Sequence, residues 1–469
     1  MAQDPKWDEL LLDPERLVQR LREDLGERGA LMVGLKLAQK YENVRARREG
    51  LQFRDLPHDL PAHDLSQTGW GVIFTQNDRA MIKRRLESFL EKRARSAGPL
   101  YKEMIYRPGE SSHDFLWKRH GSAPGVFRPS RMPYFLLIVG SPEEIPFEFQ
   151  YQLSINHAVG RLYFDEPEGY EEYAAKVLKA ERMSRPLSRR TVFFSPDKEE
   201  RVLQGVKNYL VYPMKERLEN WTQEWTFEIY EGAKAGKREL ANLLVGQDRP
   251  GLVLVASHGK SITPGHADQE ALQGAIDCGD GAFNAEDIGE DSPPGGQVVF
   301  LFSCHGVGTP LEDSFPDLLP NLMEARPDPI ALRPFVAKLP QTLLRRGTLA
   351  VVGHVDRSWT HSFLWQTFGQ KIEALETLAD SLKQALAGER IGHALRSLNR
   401  LHNAIAANLL VPLEQLRNGE EVEPYHLKML WIASNNMRNL IVLGDPAVYV
   451  LGRRVRLHDR KVVYRSTES

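Results

Sequence analysis

Cysteine is scarce in this chain: only Cys278 and Cys304 occur among 469 residues. Two cysteines build no disulfide framework, and such sparse use is typical of proteins kept reduced in the cytoplasm. Long hydrophobic runs are lacking too, since LVLVA and VVFLF are far shorter than the roughly 20 residues that cross a bilayer. The N-terminus has no basic start followed by an apolar stretch, so no secretory signal is expected. We therefore predict a cytoplasmic protein without membrane association.

An excess of either charge is also absent, because 61 Lys and Arg face 63 Asp and Glu, for a formal net charge of -2. This balance gives no reason to expect nucleic acid or an anionic membrane as a partner. No complete phosphate-binding loop, dinucleotide fingerprint or G-x-S-x-G elbow occurs, which leaves nucleotide and serine hydrolase chemistry without a starting point. His258, His266 and Cys278 lack the spacing of a recognised zinc site, so no metal is expected.

Length and proline distribution suggest a division into segments. A chain of 469 residues is too long for one ordinary core, and two or three packed units are expected. Residues 1–60 look helical and polar, and the string DLPHDLPAHDLSQTG, which spans residues 55–69, is typical of a linker. We predict an N-terminal α/β subdomain over residues 61–185 and a second α/β subdomain over residues 186–452. A helical insertion is predicted over residues 362–410, and a basic tail over residues 453–469.

Short apolar strings alternate with helical patterns along both subdomains. Strings such as PYFLLIVG, GLVLVA and QVVFLF are continuously apolar, which is typical of strands covered on both faces in parallel sheets. Strands that alternate with helices predict a doubly wound, mostly parallel sheet flanked by helices. The two rounds of this pattern are consistent with a pair of related subdomains.

Two consecutive predicted strands deliver reactive side chains near glycine. GLVLVASHG delivers His258, and QVVFLFSCHG delivers Cys304, 46 residues later. Because the carboxyl ends of parallel strands meet at one edge of a sheet, both side chains are expected to face one cleft. An imidazole beside a thiol assists thiolate formation and protonates a leaving amine. We place an oxyanion hole at the backbone N–H groups of Gly259 and Cys304. The alternative, that each residue is ordinary core, fits each motif taken singly.

The stretch from about Trp70 to Leu451 resembles the CHAT group of prokaryotic caspase-like peptidases, which are related to separases and more distantly to caspases and gingipains. The separation of 46 residues is close to the roughly 50 between the caspase histidine and cysteine. The matching strings are GWGVIF, PYFLLIVGSPEEIPFEFQYQL, AVGRL, LVLVASHGK, LQGAI, VVFLFSCHGVGTP, GTLAVVGHVDRSW and LIVLGDPA.

The resemblance implies a caspase-like fold, with a pseudo-caspase half packed against a catalytic half. It also implies a cysteine endopeptidase with a His258–Cys304 dyad, acting on proteins without a metal or organic cofactor. A departure is His305, where many relatives carry another residue. By comparison with separases, Asp356 is expected to bind the substrate and to direct cleavage after Arg or Lys; Asp197 is the alternative. Against this, Asp356 could pair with Arg357 or cap a following helix. Relatives in bacterial defence imply an antiviral role.

Long proline-rich loops flank the predicted dyad and suggest a lid or switch. The hypothesis is a latent enzyme that an activating protease or a regulatory protein switches on. With basic specificity, the candidate sites of self-cleavage are Arg326, Arg333, Arg345 and Arg346. Two alternatives stay open: a catalytically inactive caspase-like scaffold or interaction protein, and a small-molecule thiol transferase that uses the same dyad.

Overall fold

The computed structural model describes residues 61–77, 79–122, 128–183, 188–197, 201–290, 295–315, 329–359, 366–367, 370–371 and 374–454. The predictions for residues 1–60, and for the tail beyond residue 454, lie outside the described residues. The strands, numbered along the chain, are β1 (Trp70–Phe74), β2 (Tyr101–Ile105), β3 (Phe135–Val139), β4 (Ala158–Leu162), β5 (Ser188–Phe194), β6 (Thr226–Tyr230), β7 (Pro250–Ala256), β8 (Ile276–Cys278), β9 (Gly281–Phe283), β10 (Val298–Phe302), β11 (Gly308–Thr309), β12 (Phe335–Val336), β13 (Ala350–His354), β14 (Gln366–Thr367), β15 (Gln370–Lys371) and β16 (Leu440–Gly444).

Helices flank the sheet. They are α1 (Leu65–Thr68), α2 (Arg79–Arg85), α3 (Glu87–Ala97), α4 (Phe147–Leu153), α5 (Glu168–Arg182), α6 (Arg201–Val206), α7 (Tyr212–Trp221), α8 (Lys237–Val245), α9 (Gln269–Leu272), α10 (Lys338–Arg345), α11 (Ala374–Leu386), α12 (Ile391–Ala394), α13 (Arg396–Arg417) and α14 (Pro424–Arg438). In the described part of the chain, no helix combines the length and the hydrophobicity that crossing a membrane requires.

Ten strands form the central sheet, in the order β2-β1-β3-β4-β16-β13-β10-β7-β5-β6. Every residue of β1, β3, β4, β7, β10 and β13 is buried, which explains why their sequences are apolar apart from Arg161 in β4 and His354 in β13. The edge strands β2 and β6 are more exposed. The predicted α/β fold, with a mostly parallel sheet flanked by helices, is confirmed.

Parallel pairing joins the strands in two blocks, β2-β1-β3-β4 and β13-β10-β7-β5-β6. Strand β16 lies between the blocks, antiparallel to β13 and joined to β4 by one parallel pair, Leu443 with Arg161. In each block the first strand along the chain has the second on one side and the third and fourth on the other. This shared order supports the division near residue 186, which stays a prediction because both blocks belong to one continuous sheet.

A hydrogen-bond network links the start of β1 to the start of β13. Trp70, at the start of β1, donates its indole N–H to Asp445, just after β16, at 2.9 Å. The Tyr173 hydroxyl accepts from the Asp445 N–H at 2.7 Å and donates to the carbonyl oxygen of Leu349 at 2.9 Å. Leu349 immediately precedes β13, so β1 and β13 start at one edge. The carboxyl ends of the parallel strands β13, β10, β7 and β5 meet at the other edge, which is where parallel α/β sheets bind ligands.

The helical insertion predicted over residues 362–410 has other bounds. Residues 366–371 contain the short β14–β15 pair, and the helices extend from residue 374 to residue 438. The leucine spacing that predicts the insertion ends at Leu409. Buried Leu413 carries the apolar face of α13 further, and the helix continues through Pro412 to Arg417.

Candidate active site

His258 and Cys304 leave the sheet on neighbouring strands at the same level. Strands β7 and β10 pair in parallel up to Ala256 and Phe302, so each of the two side chains lies two residues beyond the last pair. The Ser257 N–H still donates to the Phe302 carbonyl oxygen at 3.3 Å, which continues the pairing toward the site. The predicted convergence of the two strand ends at one edge is therefore present in the backbone.

Gly259 and Gly274 pack against the backbone of the nucleophile turn. A methyl group on Gly259 would overlap the Cys304 carbonyl oxygen and lie 2.8 Å from its carbonyl carbon. A methyl group on Gly274 would lie 2.8 Å from the carbonyl carbon of His305, and Gly274 has a φ of +76°. Only glycine permits such approaches. The chain that follows His258 is thus seated directly on Cys304 and His305.

The residues after β7 form a short antiparallel pairing with the entry to β8. The Asp277 N–H donates to the His258 carbonyl oxygen at 2.9 Å, and the Lys260 N–H donates to the Ala275 carbonyl oxygen at 2.8 Å. These bonds flank the bridge between Gly259 and Ile276, whose own backbone groups face away from each other. Within the described residues, neither Gly259 nor Cys304 donates its N–H to another backbone group. The described backbone pairing thus uses neither predicted oxyanion donor, although the Cys304 N–H interacts with its own thiol.

The Cys304 thiol is covered in this arrangement. Its Sγ accepts from the Ser358 N–H at 3.4 Å and lies 3.9 Å from the Ser358 carbonyl oxygen. Burial raises the pKa of the Cys304 thiol, and the Ser358 N–H opposes that rise only in part. His258 is half-buried. The resting site therefore holds a protonated sulfur under the backbone of Ser358, which we call the strap.

The imidazole of His305 lies beneath the site and not in the crevice. His305 has a φ of 55°, rare for a residue with a side chain, and is only 3% exposed. The backbone N–H of His305 donates to the Asp356 carbonyl oxygen at 2.9 Å. Burial lowers the pKa of His305 and raises the pKa of Asp356, and each charge counteracts the shift of the other. His305 thus holds the nucleophile turn against the end of β13.

Asp356 does not face the crevice, although the sequence predicts it to bind substrate. The residue is 0% exposed, and its carboxylate accepts from the N–H groups of Ser314 at 2.9 Å and Arg357 at 2.6 Å. The carboxylate is therefore unavailable to a substrate guanidinium while the segment around Ser314 stays in place. The Arg357 side chain pairs with Asp313 instead, and no helix begins at Ser358, so the structure shows neither of the two alternative roles for the Asp356 carboxylate.

A clamp covers Asp356 and Cys304, formed by residues 313–315 and 357–359. Arg357 pairs with Asp313 and donates to the Phe315 carbonyl oxygen. Its guanidinium lies over the rings of Phe315 at 5.6 Å and Trp359 at 5.5 Å. Such stacking on two aromatic rings fixes the side chain in one orientation. The clamp is not apparent in the sequence, because its halves lie 42 or more residues apart and no spacing rule joins them.

Helix α14 anchors the clamp from behind. The Trp431 indole N–H donates to the Ser314 carbonyl oxygen at 3.0 Å, and the Trp359 N–H donates to the Asn436 side-chain oxygen at 3.0 Å. The Arg438 guanidinium also lies 3.3 Å from the Ser314 hydroxyl. The helical region after residue 374 therefore supports the strap over the sulfur.

Asp197, the alternative specificity residue, lies at the same edge on the other side of β7. Phe194 pairs with Val255, and Asp197 and His258 each follow three residues later. The Asp197 side chain is 57% exposed and forms an ion pair with Lys207. An accessible carboxylate is thus present at the crevice, with part of its charge already neutralised.

The second cysteine stays in the core. Cys278 is buried, and burial raises the pKa of its thiol to about 12. Across the described residues, no group of three or more His, Cys, Asp or Glu side chains could hold a metal ion.

No protein family model matches the chain, and no curated protein matches its sequence. The chain is similar to a solved structure described as a protease, with a TM-score of 0.49 and 13% identity over 82% of this chain and 80% of that one. It is also similar to the complex of the pro- and mature domains of Porphyromonas gingivalis RgpB, with a TM-score of 0.45 and 10% identity over 81% of this chain and 80% of that chain. A third similarity is to the Saccharomyces cerevisiae separase–securin complex, with a TM-score of 0.32 and 9% identity over 66% of this chain and 16% of that one.

Proposed function

We propose that this protein is a caspase-like cysteine endopeptidase, with Cys304 as the nucleophile and His258 as the proton-transfer group. One observation carries the proposal: Gly259, which follows His258, packs against the backbone of Cys304 at the joint carboxyl edge of β7 and β10. Such proximity of an imidazole-bearing and a thiol-bearing strand end is what nucleophilic acyl transfer requires.

The reaction follows from the groups at this edge. The Cys304 thiol gives its proton to His258, and the sulfur attacks the scissile carbonyl carbon. The oxyanion accepts hydrogen bonds from the N–H groups of Gly259 and Cys304. The carbon–nitrogen bond then breaks, the amine leaves with the proton from His258, and a thioester stays on Cys304. His258 then takes a proton from a water molecule, whose oxygen attacks the thioester carbonyl carbon. The carbon–sulfur bond breaks, and His258 returns the proton to the sulfur.

The resting arrangement supports latency. Burial raises the pKa of the Cys304 thiol, and the Ser358 backbone lies against the sulfur. A peptide substrate requires this strap to move, and a partner protein or proteolytic processing would supply the cause. Of the candidate self-cleavage sites, Arg333 and Arg345 form ion pairs with acidic side chains, and Arg326 lies outside the described residues.

Cleavage after Arg or Lys is the specificity we propose. The exposed Asp197 carboxylate supports it in the resting structure, whereas Asp356 could contribute only after residues 313–315 move away. Because a carboxylate binds guanidinium through two parallel hydrogen bonds, we expect faster cleavage after Arg than after Lys. Protein substrates and a role in prokaryotic antiviral defence rest on the sequence resemblance alone, and a cytoplasmic location rests on the sparse use of cysteine.

A catalytically inactive scaffold is the second candidate, and the covered sulfur of Cys304 favours it. A peptide-library digestion separates the two functions, comparing the unmodified chain with Cys304→Ala and with Cys278→Ala as the matched control. The Arg357→Ala variant is assayed on the same peptide library, because loss of the clamp should move the strap away from Cys304. We expect cleavage after basic residues that Cys304→Ala abolishes and Cys278→Ala retains. If neither the unmodified chain nor Arg357→Ala cleaves any peptide, the peptidase proposal is wrong and the scaffold is favoured.

The thiol transferase alternative is tested with the same chains. Cys304 should react faster with a peptide-based electrophile than with a non-peptide electrophile of equal intrinsic reactivity. Equal rates with the two reagents would contradict a peptide-binding site.

A further inference from the structure

Asp277 lies directly opposite His258 in the short antiparallel pairing beside the site. The bridge between Gly259 and Ile276, with the bond from the Asp277 N–H to the His258 carbonyl oxygen at 2.9 Å, fixes this register. Directly opposite residues of an antiparallel pair project from the same face, with Cβ atoms about 4.5–5.5 Å apart. The carboxylate and the imidazole are therefore neighbours on one face of this pairing.

The face that Asp277 occupies is the one turned away from the core. Its neighbours Ile276 and Cys278 are 0% and 1% exposed, whereas Asp277 is only partly buried. Because side chains alternate along a strand, Asp277 projects opposite to these two core residues. An aspartate in a three-residue strand is unusual, since aspartate is depleted in strands. Its position is consistent with a role at the crevice and not in packing.

The backbone of Asp277 is held from both sides. Its N–H donates to the His258 carbonyl oxygen, and its own carbonyl oxygen accepts from the Ser257 hydroxyl at 2.6 Å. Two bonds to consecutive residues of the histidine segment leave little freedom for the carboxylate relative to the imidazole. Positioning groups require such support from the surrounding structure.

We propose that Asp277 is a positioning residue that makes the predicted dyad a Cys304–His258–Asp277 triad. Its carboxylate accepts the N–H of the imidazole nitrogen that does not face the sulfur. This contact fixes the ring orientation and the tautomer, so that the other nitrogen is free to take the thiol proton. The inference rests on the proposed peptidase function, because it assigns a role within that same site.

Other titratable side chains near the segment that carries His258 and Asp277 have different roles. Cys304 faces it from the end of β10, and Asp197 from the end of β5, where it pairs with Lys207. Asp280, on the same hairpin as Asp277, accepts from the Lys237 N–H at 2.8 Å and so binds the start of α8. Asp280 is therefore the matched control: an acidic residue three positions away with a structural partner.

The test compares Asp277→Asn with Asp280→Asn in the full chain. For Asp277→Asn we expect kcat on the cleaved reporter to fall on the order of 10–100-fold with KM nearly unchanged, because orientation acts in the reaction step. Asp280→Asn should retain the unmodified kcat. An unchanged kcat in Asp277→Asn would overturn the proposal.

A spectroscopic readout separates failure of this proposal from failure of the peptidase function. Nitrogen chemical shifts of a histidine ring report its tautomer, and His258→Gln assigns the signal. One tautomer should dominate in the unmodified chain and in Asp280→Asn, and both should be populated in Asp277→Asn. If these tautomer populations are found but the unmodified chain cleaves no peptide, the positioning role of Asp277 is supported and the peptidase proposal is contradicted. A lower kcat with unchanged tautomer populations would mean that Asp277 is merely structural and would overturn the positioning role.

Discussion

Gly259 and Cys304 are in direct backbone contact: a methyl group on the glycine would lie 3.0 Å from the cysteine nitrogen and overlap its carbonyl oxygen. The two residues come from different strands and lie 45 positions apart. Their contact fixes the spacing between the histidine segment and the nucleophile turn. The glycine after His258 therefore sets the geometry of the site.

The first prediction follows from this contact. Gly259→Ala should push the His258 segment away from Cys304, and a displacement near 1 Å can cost on the order of 100-fold in rate. Activity on a cleaved peptide should fall at least that far, while the circular dichroism spectrum stays unchanged. Gly289→Ala is the control, because a methyl group there meets nothing within 4 Å. Full activity in Gly259→Ala would mean that the contact does not position the site.

The second prediction concerns the clamp. Arg357→Ala removes the ion pair with Asp313 and the stacking on Phe315 and Trp359, so the strap over Cys304 should loosen. We expect the alkylation rate of Cys304 by iodoacetamide at neutral pH to rise several-fold, measured by mass spectrometry of the labelled peptide. Buried Cys278, whose thiol pKa is raised to about 12, should stay unlabelled.

Arg333→Ala is the control for the clamp. Arg333 pairs with Glu143 and Glu270 on an exposed surface, so its loss removes a comparable charge without touching the strap. An equal rise in alkylation for both variants would show that the effect is not specific to the clamp. An unchanged alkylation rate in both variants would contradict the role of the clamp that we infer from the Arg357 contacts.

The buried network around Asp445 leads to the third prediction. Its carboxylate accepts from the Trp70 indole at 2.9 Å and from the Arg93 guanidinium at 2.6 Å, and the paired groups are almost fully buried. Asp445→Ala leaves Arg93 with one carboxylate partner fewer inside the protein. Breaking such a pair costs about 3–5 kcal/mol in the free energy of unfolding. Urea unfolding should show this loss, whereas Arg85→Ala, which removes exposed surface pairs with Glu168 and Glu171, should leave the urea midpoint almost unchanged.

Hydrophobic patterning predicted the central strands because they are buried on every residue. The edge strand Tyr101–Ile105 was missed, since Lys102 and Glu103 interrupt its apolar pattern, as is usual at a sheet edge. The strand ends that carry His258 and Cys304 were predictable from local strings. The burial of Asp356 was not, because Ser314 and Arg357 cover it through contacts that depend on the folded loop. Local patterns therefore locate the reactive residues, while long-range contacts decide their accessibility.

Stability in acid gives the fourth prediction. Burial lowers the pKa of His354 to about 3, whereas an unfolded chain protonates histidine near pH 6.5. Between these values the unfolded state binds more protons, so the stability contribution of this group is complete above about pH 6.5 and falls as the pH decreases toward about 3. Each pH unit in that window costs about 1.4 kcal/mol for one such histidine.

His354→Gln should therefore lose less stability than the unmodified chain between pH 7 and pH 5, measured as the shift of the urea midpoint. The variant removes a titrating ring at the end of β13 and leaves the other buried histidines, including His157, unchanged. Thr348→Val is the control: it alters another buried polar side chain, only 1% exposed, without removing a titrating group. It should shift the midpoint equally at both pH values. If His354→Gln and the unmodified chain respond alike to acid, the ring of His354 is not held neutral by burial.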